Sequence, residues 1–168
     1  MKKITFILLL SLISASGFAQ SANEAKGTAD VFAEIVTPIS IDNGTAMNFG
    51  SIVAAEGGKV RVNTEGTRTF SNTNMEVISA EAVTAASFKV IAATDYSYNI
   101  AIPSTVLTGT TGTDMPVSFT QDLEGQTDGT ATGTGIEQTL KVGGLLTVAS
   151  GQSAGSYEGE VTVTVAYE

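Results

Sequence analysis

The last run of the chain, Val161-Thr162-Val163-Thr164-Val165-Ala166-Tyr167, decides the fold. Valine or tyrosine falls on every odd position and threonine or alanine on every even one. Strand side chains point alternately to opposite faces, so this segment offers one apolar face to a core and one polar face to solvent. The same period of two runs through Tyr96-Ser97-Tyr98-Asn99-Ile100-Ala101-Ile102, with both tyrosines and both isoleucines on one side. Pro103 follows and closes that run, because proline has no N–H to give to a ladder. Weaker runs at 31–41, 47–53, 60–62, 88–91, 117–123 and 140–148 bring the expectation to about eight strands. Clusters of Gly, Asn, Asp, Ser and Thr separate them, and no window beyond the N-terminal segment carries the three-and-four rhythm of a helix. An all-β fold follows, with two antiparallel sheets packed face to face as an immunoglobulin-like β-sandwich. The Thr-, Gly- and Asp-rich stretches 108–114 and 125–135 read as exposed connections. Gly143-Gly144, inside an apolar strand, marks either a bulge or a close approach of backbones.

Composition removes most chemistry. The 168 residues include no Cys and no Trp, and the His count is 0, so thiol and imidazole catalysis, His/Cys metal sites and haem ligation are absent. No enzyme activity and no cofactor are expected. The formal charge of -9 repels phosphate backbones, which excludes nucleic acid as a partner. Met1-Lys2-Lys3, an apolar run at 4–13 and the small residues Gly17 and Ala19 read as a secretory signal peptide over 1–19. The run is too short and too interrupted by serine for a transmembrane segment. Cleavage after Ala19 leaves a polar leader at 20–28 and a single sandwich domain at 29–168, destined for the periplasm, the cell surface or the medium. Without cysteine, that domain is stabilised by burial alone.

Three site chemistries can be weighed. Two of the 17 acidic residues could serve as the acid and base of a glycosidase, but the chain is short for a walled cleft and has no Trp platform. Asp42-Asn43-Gly44 and Asp128-Gly129 are fragments of calcium-loop chemistry that read better as turns, and no metal site is expected. Carbohydrate stacking could use Tyr96, Tyr98, Tyr157 or Phe70, although their alternating runs account for most of them as core.

Asn48-Phe49-Gly50, Gly58 with Val60 and Val62, Ala86-Ser87-Phe88, Ile100-Ala101-Ile102-Pro103, Leu140-Lys141-Val142-Gly143-Gly144 and Gly155-Ser156-Tyr157 through Tyr167 occur together from about Asp30 onward. In this combination the chain resembles the domain-of-unknown-function family 4402 of exported bacterial proteins. The layout is also similar to spore coat protein U domains and to pilins assembled by the chaperone and usher route. That resemblance implies a pilin-like sandwich lacking a strand, completed first by an export chaperone and then by the N-terminal segment of another subunit. It points to a structural or adhesive subunit of the cell envelope whose partners are itself or other envelope proteins. The interacting elements would be Val161, Val163, Val165 and Tyr167 at the C-terminus, and Val31, Ala33 and Ile35 near the N-terminus. Two features depart from the pattern: no disulfide can form, and 20–28 offers only alanine as an apolar residue. The alternative is a self-complete secreted carbohydrate-binding module.

Overall fold

The computed structural model describes residues 25–77 and 82–168. The expected signal peptide at 1–19 and leader residues 20–24 lie outside the described residues. The chain divides into two units, Met1–Glu34 and Ile35–Glu168. Of the first, residues 25–34 are described; they are exposed and form no strand.

The second unit is all-β. Among the described residues eleven strands pair, every one antiparallel, and the only helical element is a single 3-10 turn at Thr73–Met75. They are β1 (Ser40–Asn43), β2 (Gly58–Val62), β3 (Arg68–Phe70), β4 (Ala86–Ile91), β5 (Ser97–Ala101) and β6 (Thr105–Gly109). Then follow β7 (Met115–Leu123), β8 (Thr130–Thr132), β9 (Glu137–Val148), β10 (Tyr157–Glu158) and β11 (Thr164–Tyr167). The larger sheet runs β1-β4-β9-β7-β6-β10, with β2 also on β9 and β3 on β2; the smaller runs β11-β5-β8.

β9 is the axis of the larger sheet. β7 pairs along one edge from Val117↔Leu146 to Leu123↔Leu140. The other edge is shared: β4 holds it as far as Ala86↔Val142, and β2 takes over at Val62↔Gly144. Gly143 sits at this hand-over, where a Cβ would stand 2.7 Å from the Val62 carbonyl oxygen. The β7 ladder passes through Thr120↔Gly143 and Phe119↔Gly144 unbroken, so the glycines mark a close approach and not a bulge. Gly144 leaves room for Met47 and Phe49, whose Sδ and Cζ lie 2.7 and 2.8 Å from where its Cβ would be.

The core has two halves. In one, Val90 of β4, Leu140 and Val142 of β9 and Leu123 of β7 face Tyr98 and Ile100 of β5 and Ala131 of β8. In the other, Val60 and Val62 of β2, Met115 and Val117 of β7, and Leu146 and Val148 of β9 are met by Phe49 and Met75. The first half is a sheet packed on a sheet; the second is roofed by chain outside any strand. Between the layers Gln138 is the buried polar side chain among the described residues; its Oε1 accepts from the Tyr98 hydroxyl at 3.2 Å and its Nε2 donates to the Thr132 carbonyl at 3.3 Å. A buried amide with both ends bonded avoids the penalty of an orphaned polar group.

Several expected boundaries move. The run 31–41 yields a strand only from Ser40, beyond Pro38, where β4 supplies a partner. The run 47–53 makes just the single bridges Asn48↔Thr84 and Ile52↔Glu76, because Gly50 between them turns to φ 69 and breaks the ladder. Stretch 125–135 is not wholly an exposed connection: it contains β8, whose Ala131 is buried, the small side chain fitting among the core residues around Tyr98. Stretch 108–114 likewise begins inside β6. Asp42 and Asn43 belong to β1 and do not form a turn.

Candidate functional site

The smaller layer supplies three strands against the eight of the larger sheet, and the shortfall leaves a groove. It measures about 930 Å³. Along the inner face of β6, β7 and β9 it is lined by Thr105, Leu107, Met115, Val117, Phe119, Leu146 and Val148, of which Met115, Val117, Leu146 and Val148 are already buried in the second core half. One wall is the run 47–54, the other the run 152–161 that leads through β10 toward β11. Neither wall is a continuous strand: Gly50 at φ 69 turns the first, and the second bends at residues 154–155 before β10. Among the described residues the first makes its β-bridges to residues 76 and 84, neither of which lines the groove. The second has left β10 by Gly159 and does not join β5 until Thr164, so residues 159–163 pair with no strand among the described residues.

Hydrogen bonds hold both walls in place. Arg68 donates from Nη1 to the carbonyls of Phe49 and Ser51, at 2.8 and 3.0 Å, while its guanidinium lies 4.7 Å from the Phe70 ring centroid. On the opposite wall the Tyr157 hydroxyl lies 2.8 Å from the carbonyl oxygens of Thr111 and Ser153, and accepts from Gln152 Nε2 at 3.0 Å. The mouth is acidic, with exposed Glu158 and Glu160.

The C-terminal residues singled out from the sequence come together beside this groove. Val161 lines it. Val163, just ahead of β11, and Val165 and Tyr167 within it are half-buried against the first core half. β11 pairs with β5 from Thr164↔Ala101 to Tyr167↔Tyr98 and with nothing on its other side among the described residues. The Tyr167 hydroxyl accepts from the Ala93 N–H at 2.7 Å and donates to the Thr37 carbonyl at 2.9 Å, which ties the last strand to the segment just ahead of β1. The N-terminal candidates stand in water: Val31 is 92% exposed and Ile35 97%, with Ala33 exposed between them and Phe32 at 89%. Sequence reasoning missed the first wall and the floor as parts of a site. Gly50 and the Gly143-Gly144 pair were the available signals, since each marks a place where regular pairing gives way or another chain passes close.

The aromatic candidates for stacking are occupied. Tyr98 is fully buried, Phe70 underlies Arg68, Tyr157 is bonded as above, and Tyr96 meets Tyr167 edge-on at 5.9 Å between ring centroids. Asp128 accepts from the Thr130 N–H at 3.2 Å and hydroxyl at 3.1 Å, which lowers its pKa below the ordinary value and completes a turn. A shallower hollow of about 560 Å³ lies over Phe119, Ile100 and Ile102, rimmed by Arg61, Asn63, Gln121, Asp122 and Asp128. Among the described residues no helix is long and apolar enough to cross a membrane.

The family described as a domain of unknown function (DUF4402) matches residues 39–167, nearly the whole of the second unit. No curated protein and no solved structure matches the chain. On the extent of the family match, the chain belongs to DUF4402.

Proposed function

We propose that this member of the DUF4402 family is an exported, non-catalytic structural or adhesive subunit of the bacterial envelope, joining copies of itself or other envelope proteins through strand edges. The observation that carries the reading is an apolar strand, β11, paired on one side only and continued by unpaired Val161 and Val163. An edge of this kind is a template for another chain, and monomeric proteins usually blunt it with charge, proline or a covering segment. Here the four apolar residues Val161, Val163, Val165 and Tyr167 alternate only with Thr and Ala. The exposed Val31 and Ile35 support the same reading, and so does the resemblance to pilins, in which an export chaperone would hold the edge before assembly. The test is the size of the purified secreted chain as concentration rises. Multimers, with a ladder that persists in denaturant, are expected; a compact monomer at every concentration would contradict the proposal.

One observation favours the alternative of a self-complete carbohydrate-binding module: the shallow hollow gathers planar amide, carboxylate and guanidinium groups over Phe119, a set suited to sugar hydroxyls. Glycan binding that is lost on Gln121→Ala or Asp122→Ala would support it.

A further inference from the structure

We propose that the outer face of the larger sheet is a contact surface for a second copy of this chain, the two copies packing face to face about a two-fold axis that runs along β7. Lys59 and Arg61 of each copy then stand over Glu160 and Glu158 of the other. This contact goes beyond the strand-edge association above and uses a different surface.

Strand register builds the face, because residues directly opposite each other in an antiparallel pair share one side of the sheet. Lys59 pairs with Thr147 of β9, and Pro116 of β7 with Val106 of β6. Thr147 stands beside Pro116, since the neighbouring pair is Val117↔Leu146, and Glu160 stands beside Val106, since β10 pairs Glu158 with Thr108. The chain still follows β6 at Gly159, where a Cβ would lie 2.6 Å from the Val106 carbonyl oxygen. One row therefore crosses the face as Lys59, Thr147, Pro116, Val106 and Glu160, with a cation at one end, an anion at the other and no charge between. The adjacent row carries Arg61, Leu145 and Ser118. Leu145 is half-buried and Val106 is 42% exposed, so the middle of the face is small and largely apolar.

Charge indicates what covers it. Of the five cations in residues 35–168, Lys59, Arg61, Lys89 and Lys141 lie on this face, and Glu137 and Glu65 neutralise the last two. Lys59 and Arg61 form no ion pair among the described residues, and neither do Glu158 and Glu160. Within one chain the two sets cannot meet. Four strand spacings of about 4.8 Å hold them about 19 Å apart, more than twice the screening length of about 8 Å at physiological salt. A two-fold axis along β7 exchanges β2 with β10 and β9 with β6, so it satisfies both sets at once and lays one apolar middle on the other. The strands stay nearly aligned, as in other face-to-face sheet packings. Five strands by five residues cover about 24 by 17 Å, about half of the 800 Å² or so that a standard interface takes from each partner. The contact is therefore weak, reversible and sensitive to salt.

The experiment uses the chain from residue 20 carrying Pro116→Cys, the single thiol in a protein without cysteine, and a short bis-maleimide. Pro116 is exposed and lies on the axis, so the two thiols of a dimer face each other. A cross-linked dimer is expected at low salt and is lost at high salt. Lys59→Glu/Arg61→Glu in the same background lowers the yield by about tenfold or more, because like charges then oppose each other. Glu158→Lys/Glu160→Lys does the same, and mixing the two variants restores the dimer, since each border again meets its opposite. All four positions are exposed, so circular dichroism and Tm stay unchanged. Absence of the cross-link at low salt, a yield that charge reversal leaves alone, or a mixture that fails to recover overturns the two-fold contact. Binding of polygalacturonate that is lost with Lys59→Glu/Arg61→Glu, in a chain that gives no Pro116→Cys cross-link, overturns the second copy as occupant in favour of an acidic polysaccharide. A charge-dependent cross-link in a chain that shows no denaturant-resistant ladder supports this contact while strand-edge association fails.

Discussion

Replacing Tyr98 by Phe removes one hydroxyl from the seam between the two layers, and the consequence can be worked out from its neighbours. Tyr98 is fully buried and donates to Gln138 Oε1, whose side chain is itself buried. Phenylalanine fills nearly the same volume, so the packing term is small, but Gln138 Oε1 is left without a donor. An orphaned buried acceptor costs about 1–3 kcal/mol. At about 4 °C per kcal/mol for a domain of this size, Tm falls by roughly 4–12 °C. The double variant Tyr98→Phe/Gln138→Leu removes both partners and should recover much of the loss, so urea denaturation of the four members of the cycle yields a clear coupling energy. There is also a pH signature. Burial, followed by the negative charges of Glu124 and Tyr167, raises the Tyr98 phenol above its ordinary value of 10.0. The unfolded chain then loses this proton before the folded one does, so stability is intact below the unfolded value and declines as pH climbs from there toward the folded one. Tyr98→Phe should flatten that alkaline decline. Additive single substitutions, or an unchanged alkaline slope, would refute the account of this seam.

Three other outcomes are expected. Gly143→Ala pushes a methyl against the Val62 carbonyl oxygen and the Asn63 backbone, a clash that overpacking data place at about 1–3 kcal/mol, measurable as a lowered urea midpoint. Tyr167→Phe frees the Ala93 amide and the Thr37 carbonyl, so hydrogen exchange at Ala93 accelerates and proteolysis ahead of Pro38 becomes faster. The side-chain hydrogen bond and charge of Glu65, 2.9 Å away, raise the pKa of Lys141; Glu65→Gln should return it toward the ordinary value in an NMR titration, with little effect on the thermal transition because the pair is exposed.

The period-two runs ending at Ile102 and Tyr167 were enough to read an antiparallel sandwich, because burial of one face leaves that pattern in any strand. Residues 117–123 and 140–148 were legible for the same reason. β3, β8 and β10 were not, since two or three residues carry no period, and β8 hides its single buried side chain as Ala131 between two threonines. Of the site, Val31, Ala33 and Ile35 and the last strand could be seen as candidates. The groove could not, because it is a product of how the three strands of the smaller layer and the runs 47–54 and 152–161 sit over the larger sheet, which no local pattern records. The run 47–53 misled in the same way. Its alternation is real, but Gly50 and Arg68 turn it from a strand into a wall.

Amide hydrogen exchange of residues 159–167 in assembled material tests the central claim most directly. The account predicts that the amides of 159–163 and of the free edge of β11, open in the dilute chain, become protected once copies join. Exchange of this segment within assembled material at the rate seen in the dilute chain would contradict it.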